Sequence, residues 1–213
     1  MNYLVKKPWW VRKLYGRCTW QVATRERLLF LTFDDGPHPE LTPFVLDELR
    51  RYDAQATFFC IGENVARYPQ IYNRILTEGH AVGNHTWQHL DGWRTNNSCY
   101  YADVQKARGK IASRLFRPPH GHVTPFQVRR LRAKPLGLQV VMWSILSGDF
   151  DPDTTPERCY TNVAGHAEPG AIIVFHDNDA AASNLRSALP RILSDFSARG
   201  YRFAALSEQY LCR

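Results

Sequence analysis

Long apolar runs are missing from this 213-residue chain: no stretch approaches the roughly 18 residues that a bilayer-spanning helix requires. Also missing is any CxxC pair. Cys18, Cys60, Cys99, Cys159 and Cys212 are odd in number and widely scattered, which argues against a disulfide framework and against a thiolate zinc site. Reduced, structural thiols are expected, with Cys60 in the run Ala56 to Ile61 read as a small buried hydrophobe. The N-terminus lacks the apolar stretch and small-residue cleavage site of a secretory leader, so the cytoplasm is the expected compartment. No internal repeat or low-complexity tract occurs. Acidic charge is the scarcer sign: 20 acidic against 27 basic residues leave a net +7. That excess favours anionic surroundings such as a membrane surface, a polyanionic glycan or nucleic acid, and does not choose among them.

What is present is ordinary globular usage, 44% hydrophobic and 22% charged, enough for one compact domain with a sizeable core. Residues 1–25 read as an appended arm, with Lys6, Lys7, Arg12, Lys13 and Arg17 interleaved with Trp9, Trp10 and Tyr15. Such a mixture suits a peripheral membrane contact, but packing of the tryptophans on the base of the domain is the favoured expectation. Residues 26–213 form the domain proper.

Seven short apolar or β-branched runs alternate with helical patterns there: 28–33, 56–61, 80–83, 115–116, 139–143, 171–176 and 201–205. This alternation marks βα units feeding a parallel sheet or barrel. Helices are expected from Thr42-Pro43 to Arg51, over 70–78, from a Ser98 cap to about Arg114, and over 183–199, where Pro190 predicts a kink or break.

Chemistry-bearing residues fall at the carboxyl ends of these runs. Asp34 and Asp35 end the first strand just before Gly36-Pro37, and two adjacent carboxylates in a buried setting call for a cation or a proton-transfer role; a solvated Asp-Gly turn is the competing reading. His85 and His89 stand four apart and would share a face on a helix, within reach of one metal ion. Alone, that spacing is as readily a solvated face; joined to a carboxylate it makes a two-His, one-Asp set suited to activating water. In Arg117-Pro118-Pro119-His120-Gly121 a rigid turn could aim Arg117 and the His120 main-chain N–H at one point. Asp149 follows the fifth run and His176 ends the sixth. A parallel barrel would gather all of these on one face.

From about Leu28 to Leu206 the sequence resembles the NodB-type polysaccharide deacetylases, a carbohydrate esterase family. The resemblance rests on TFDDGP at 32–37, HTxxH at 85–89, RPPxG at 117–121, WSxxxxD at 143–149 and VFHD at 174–177. It implies an α/β fold, an irregular (β/α) barrel of about seven parallel strands. It also implies one divalent metal, most often zinc, with cobalt, nickel or manganese as substitutes, held by Asp35, His85 and His89. By the same resemblance Asp34 is the general base, Arg117 its positioning partner, His176 the general acid, Asp149 the carboxylate that orients His176, and the His120 N–H the oxyanion donor.

Three positions depart from the family pattern: His120 where an aromatic residue is usual, Leu146 where an acid often stands, and Phe150 where tryptophan is common. They bear on groove shape rather than on the reacting groups. The implied reaction removes N-acetyl groups from an N-acetylglucosamine-containing oligo- or polysaccharide, chitooligosaccharide or peptidoglycan-like, with release of acetate; nucleic acid is not an expected partner. Deacetylation of O-acetyl esters on xylan-type glycans and a catalytically idle glycan-binding module are the alternatives, and a non-haem iron oxygenase is disfavoured by the order of the ligands.

Overall fold

Leu28–Asp34 (β1) is buried at every residue, as a central parallel strand covered on both faces must be. The computed structural model describes residues 4–6, 8–207 and 210; Lys7 of the basic arm and Cys212 lie outside the described residues. Around β1 stand Thr57–Cys60 (β2), Ala81–Asn84 (β3), Leu115–Phe116 (β4), Gln139–Val140 (β5), Ile145–Leu146 (β6), Ile172–His176 (β7) and Arg202–Phe203 (β8). The order is β5-β4-β3-β2-β1-β7-β6, and β8 pairs with Leu28 and Leu29 at the start of β1. All pairings between these strands are parallel, so the sheet curls into an irregular, incompletely closed barrel. The register matters for function: Asp34 lies level with Phe59 of β2 and with His176 of β7.

The helices are Trp9–Leu14 (α1), Leu41–Arg51 (α2), Gly62–Arg67 (α3), Pro69–Thr77 (α4), Asn97–Arg108 (α5), Pro125–Arg132 (α6), Pro156–Ala164 (α7) and Ala182–Ala198 (α8). Pro190 does not break α8. The helix runs through it because Leu185, Ala188, Leu189, Ile192, Leu193 and Phe196 form a continuous buried stripe, and packing outweighs the lost backbone bond. The α2 helix begins at Leu41, and its first N–H groups are met by the His38 ring, whose Nδ1 accepts from Glu40 N and Leu41 N. Thr42 is therefore inside the helix rather than its cap. The helix expected to reach Arg114 ends at Arg108; its cap is Asn96, whose Oδ1 accepts from Ser98 N.

The fifth expected strand, 139–143, is split. Only Gln139 and Val140 pair with β4 as a strand, and Val141 then bridges to Thr19 of the N-terminal segment. Gln21 bridges to Ala171 just before β7, so residues 19–21 span the gap between β5 and β7. Cys18, Trp20 and Val22 are buried there, whereas Trp9 is 73% and Trp10 58% exposed, so the expected packing of Trp9 and Trp10 on the base of the domain is corrected: both stand open, and Trp20 is the buried tryptophan of the arm. Cys18, Cys60, Cys99 and Cys159 are free thiols, three of them buried, and burial lifts the Cys18 thiol to about 12.

Gly170 is where this segment docks: Val22 N–H donates to Gly170 O at 2.9 Å, and a Cβ at Gly170, whose φ is +81°, would lie 1.9 Å from Val22 O. Gly137 has a similar φ of +59° but open space around it. Gly170→Ala is expected to lose more stability in urea unfolding than Gly137→Ala, by at least about 1 kcal/mol, since both carry the left-handed penalty and only the first adds a clash.

Candidate active site

The site is assembled on backbone that departs from regular geometry where each strand ends. Asp35 has φ +85°, Thr86 +66°, His89 +58° and His120 +58°, left-handed values uncommon for residues with a side chain. His85 to His89 is consequently not a helix: the two imidazoles meet across a tight loop, their ring centroids 5.1 Å apart. The expectation that they share a helical face is corrected; the left-handed residues Thr86 and His89 replace the helix in bringing the rings together.

Asp35, His85 and His89 each offer one ligand atom, and these atoms lie within 4.8 Å of one another. Asp35 Oδ1 faces His89 Nε2 at 3.1 Å and His85 Nε2 at 3.5 Å, yet it is buried with no hydrogen-bond partner. An orphan carboxylate oxygen between two ring nitrogens is the arrangement a bound cation satisfies. The other atoms of these side chains are already committed. His85 Nδ1 lies 2.8 Å from Arg117 O, which as a carbonyl can only accept, so the proton sits on Nδ1 and the Nε2 lone pair is free. Asp35 Oδ2 accepts from Asn178 Nδ2 at 2.6 Å, and Asp35 O from Asn64 Nδ2 at 2.7 Å. Burial alone would raise the Asp35 pKa, but the neighbouring imidazoles of His85, His89 and His176 outweigh it and hold the carboxyl well below its usual range. The donor set therefore fits a divalent metal.

Asp34, its neighbour, points elsewhere. Its Oδ1 receives a hydrogen bond from Arg117 Nη1 at 2.7 Å, and that guanidinium is fully buried. Arg117 also donates to Thr32 Oγ1 at 2.8 Å, Met142 O at 3.0 Å and Val141 O at 3.3 Å, and it lies over the Phe59 ring at 4.1 Å. Burial lowers its pKa, opposed by Asp34. At the other side of β1, His176 Nδ1 meets Asp149 Oδ1 at 2.8 Å, while the His176 main-chain N–H donates to Asp149 Oδ2 at 2.7 Å. Ser147 Oγ donates to Asp149 Oδ1 at 3.0 Å. Desolvation works against protonation of His176, but the charge of Asp149, its hydrogen bond and the two carboxylates Asp35 and Asp34 raise the imidazole to about 9.

Arg117-Pro118-Pro119-His120-Gly121 forms the expected tight turn, with Pro119–Gly121 as one turn of 3₁₀ helix. The Gly121 and His122 N–H groups are taken by Pro118 and Pro119 carbonyls, which leaves the His120 N–H with no backbone acceptor among the described residues. Gly121 is required: at φ +70° a Cβ would come within 2.5 Å of Trp143. The His120 ring rests against His89, centroids 4.6 Å apart, and burial together with the charge of His89 lowers its pKa. Of the other departures, Leu146 is buried in the core and Phe150 packs edge-on to His176 at 5.1 Å. His38, on the same rim, is spent on the start of α2 and on Asp179, 3.1 Å from its Nε2.

All the residues singled out from sequence thus converge: Asp34, Asp35, His85, His89, Arg117, His120, Asp149 and His176 occupy one end of the sheet. Sequence reasoning missed Asn178, Asn64, Ser147 and Asp177. Asp177 accepts from Gly36 N at 2.9 Å and from the Thr42 hydroxyl, tying the loop after Asp35 to β7. Burial, with the charge of Asp35, lifts its pKa to about 8. The one available signal was adjacency, since Asp177 and Asn178 directly follow His176.

A family model for polysaccharide deacetylases matches residues 21–141. A peptidoglycan-N-acetylglucosamine deacetylase of Bacillus cereus is 37% identical over 200 residues, covering 91% of this chain and 92% of that protein. A chitooligosaccharide deacetylase of Azorhizobium caulinodans is 32% identical over 204 residues, covering 87% and 96%. Among solved structures, the Bc1960 peptidoglycan N-acetylglucosamine deacetylase superimposes with a TM-score of 0.85 at 30% identity, covering 96% of both chains. The chain belongs to the polysaccharide deacetylase family, the NodB-type carbohydrate esterases, hydrolases that act on C–N bonds other than peptide bonds.

Proposed function

We propose that this enzyme hydrolyses the acetamide of an N-acetylglucosamine unit in a glycan of chitooligosaccharide or peptidoglycan type, releasing acetate and leaving a free amine. The observation that carries the reading is the orphan oxygen of Asp35 between His85 and His89, flanked in register by Asp34 on one strand and His176 on the next. A divalent ion, zinc foremost and cobalt, nickel or manganese as substitutes, would supply the Lewis acidity that makes water a nucleophile near neutral pH and polarises the carbonyl. Asp35 through Oδ1, and His85 and His89 through Nε2, would hold it.

The protein's own groups do the rest. Asp34, oriented by Arg117, takes the proton of the attacking water. The His120 N–H, held in a Pro-Pro turn, donates to the oxygen on which negative charge develops. His176 is protonated at neutral pH by virtue of Asp149 and delivers its proton to the departing nitrogen. This last feature favours amide over ester hydrolysis, because an amine leaves only if protonated whereas an alkoxide needs far less help. An O-acetyl esterase on xylan-type glycans would gain little from so strongly raised an imidazole.

No described helix is long and apolar enough to cross a membrane. A cytoplasmic enzyme would meet soluble precursors or imported oligosaccharides, and the exposed Trp9 and Trp10 beside Arg12 and Lys13 would support a peripheral contact with an anionic membrane.

Three outcomes are expected. Purified enzyme should release acetate from N-acetylated chitooligosaccharides after metal loading and lose that activity on chelation, and His85→Ala or His89→Ala should each lose most bound metal by elemental analysis without unfolding. Full metal occupancy in either variant would remove that residue from the ligand set. Asp34→Asn, by contrast, should keep its metal while turnover drops about a hundredfold to ten-thousandfold. The third concerns pH. His176 works as its protonated form, so activity should fall as pH rises through its pKa, and a cation bound in the same cleft should bring that limb below 9. Asp149→Asn removes the main source of the raised value, and the alkaline limb of kcat should move to lower pH; an unmoved limb would detach His176 from that ionisation.

A further inference from the structure

Beyond the reacting groups, a line of rings leads away from the metal ligands. His120 contacts His89 with centroids 4.6 Å apart; His122 follows at 5.6 Å from His120; and the Trp93 indole lies flat on His122, centroids 3.9 Å apart and planes only 7° from parallel. Trp93 covers His122 with one face and is nonetheless 59% exposed, so its other face is open to solvent. A large apolar ring left open beside a catalytic cleft needs a reason, since its burial elsewhere would have been favourable.

The loop carrying Trp93 is built to hold it there. Asp91 fixes both partners of the stack, its Oδ1 accepting from the Trp93 main-chain N–H at 2.8 Å and its Oδ2 lying 2.9 Å from His122 Nδ1. Gly92 O accepts from Gln127 Nε2 at 2.7 Å, and a Cβ at Gly92 would fall 2.4 Å from His122 O, so only glycine lets the loop pass this close. Gln127 is in turn fixed by the capping box it makes with Thr124 at the start of α6. One carboxylate, one amide and one glycine thus immobilise an indole that contributes little to the core.

We propose that the Trp93–His122 stack is a binding platform for a pyranose ring next to the sugar being deacetylated. This rests on the deacetylase reading and extends it: the substrate is a chain of several sugars, not a single N-acetylglucosamine. A β-linked pyranose presents C–H groups on its faces, and these pack on a flat, electron-rich indole, while its equatorial hydroxyls stay in water. Because the platform is pinned before ligand arrives, little ordering entropy opposes binding. Trp93 touches no reacting atom, so its contribution is to affinity and to chain-length preference rather than to turnover.

The test measures acetate release from chitooligosaccharides of two to five sugars by metal-loaded wild-type enzyme, Trp93→Ala and Trp93→Phe, with thermal melting confirming that all three fold. Expected is a KM raised about tenfold or more in Trp93→Ala for chains of two to five sugars with kcat changed less than about threefold, and recovery in Trp93→Phe. Equal KM values for wild type and Trp93→Ala at every length would overturn the platform and leave the deacetylase reading intact. If wild-type enzyme releases no acetate from any of these sugars, the deacetylase reading fails for them, and the platform is judged by binding alone. In that case the Trp93 indole N–H resonance, assigned by its loss in Trp93→Phe, must shift on addition of chitopentaose; an unmoved resonance overturns the platform as well.

Discussion

A single buried ion pair organises this enzyme. Arg117 leaves the end of β4, crosses beneath the open face of the sheet and ends on Asp34 at the tip of β1, with no solvent contact along its length. Moving a guanidinium out of water is tolerable only because every direction is answered: a carboxylate, a hydroxyl and two carbonyls accept from it, and Phe59 lies against its face. Removing one partner from such an arrangement costs about 3–5 kcal/mol, since the other charge is stranded. The carbonyls come from Val141 and Met142, the stretch where the fifth expected strand gives way to irregular chain. That irregularity is thus explained: backbone that would otherwise extend a sheet ladder turns its oxygens towards Arg117.

The same pair separates two adjacent carboxylates into different jobs. Asp34 is neutralised by Arg117, and Asp35 is turned by its left-handed backbone towards two imidazoles. Parallel pairing then sets His176 level with Asp34 on the neighbouring strand, so the residues proposed as acid and base are placed by sheet register rather than by a flexible loop. Around them runs a ring of amide, hydroxyl and carboxylate groups: Asn178 and Asn64 on Asp35, Ser147 on Asp149, and Asp177 on the turn after Asp35. These hold orientations that the reacting residues could not keep unaided.

Much of this was legible in the sequence because strand ends announce themselves. Apolar runs such as 28–33 and 171–176 stop at a charged residue, and that residue is where a parallel sheet opens. The helices α6 and α7 were not among the expected elements, although each opens at a Thr-Pro step, Thr124-Pro125 and Thr155-Pro156, where threonine caps and proline opens the first turn. The same dipeptide at 42–43 means something else, because His38 has taken over the cap and Thr42 is needed to hold Asp177. What periodicity could not reveal was the left-handed backbone at Thr86 and His89, which depends on contacts made across the sheet. Nor could it reveal that α8 survives Pro190, which depends on the apolar stripe packed beneath it.

Those left-handed residues set local strain against the site they build. At Asp35 and His89, proposed as metal ligands, and at His120 on the rim, the side chain sits on backbone that glycine would adopt more comfortably, by about 1 kcal/mol or more at each position. Glycine at any of them would relieve the backbone while removing a side chain of the candidate metal site or of the rim of the cleft. Backbone comfort and the proposed chemistry therefore pull in opposite directions at these positions.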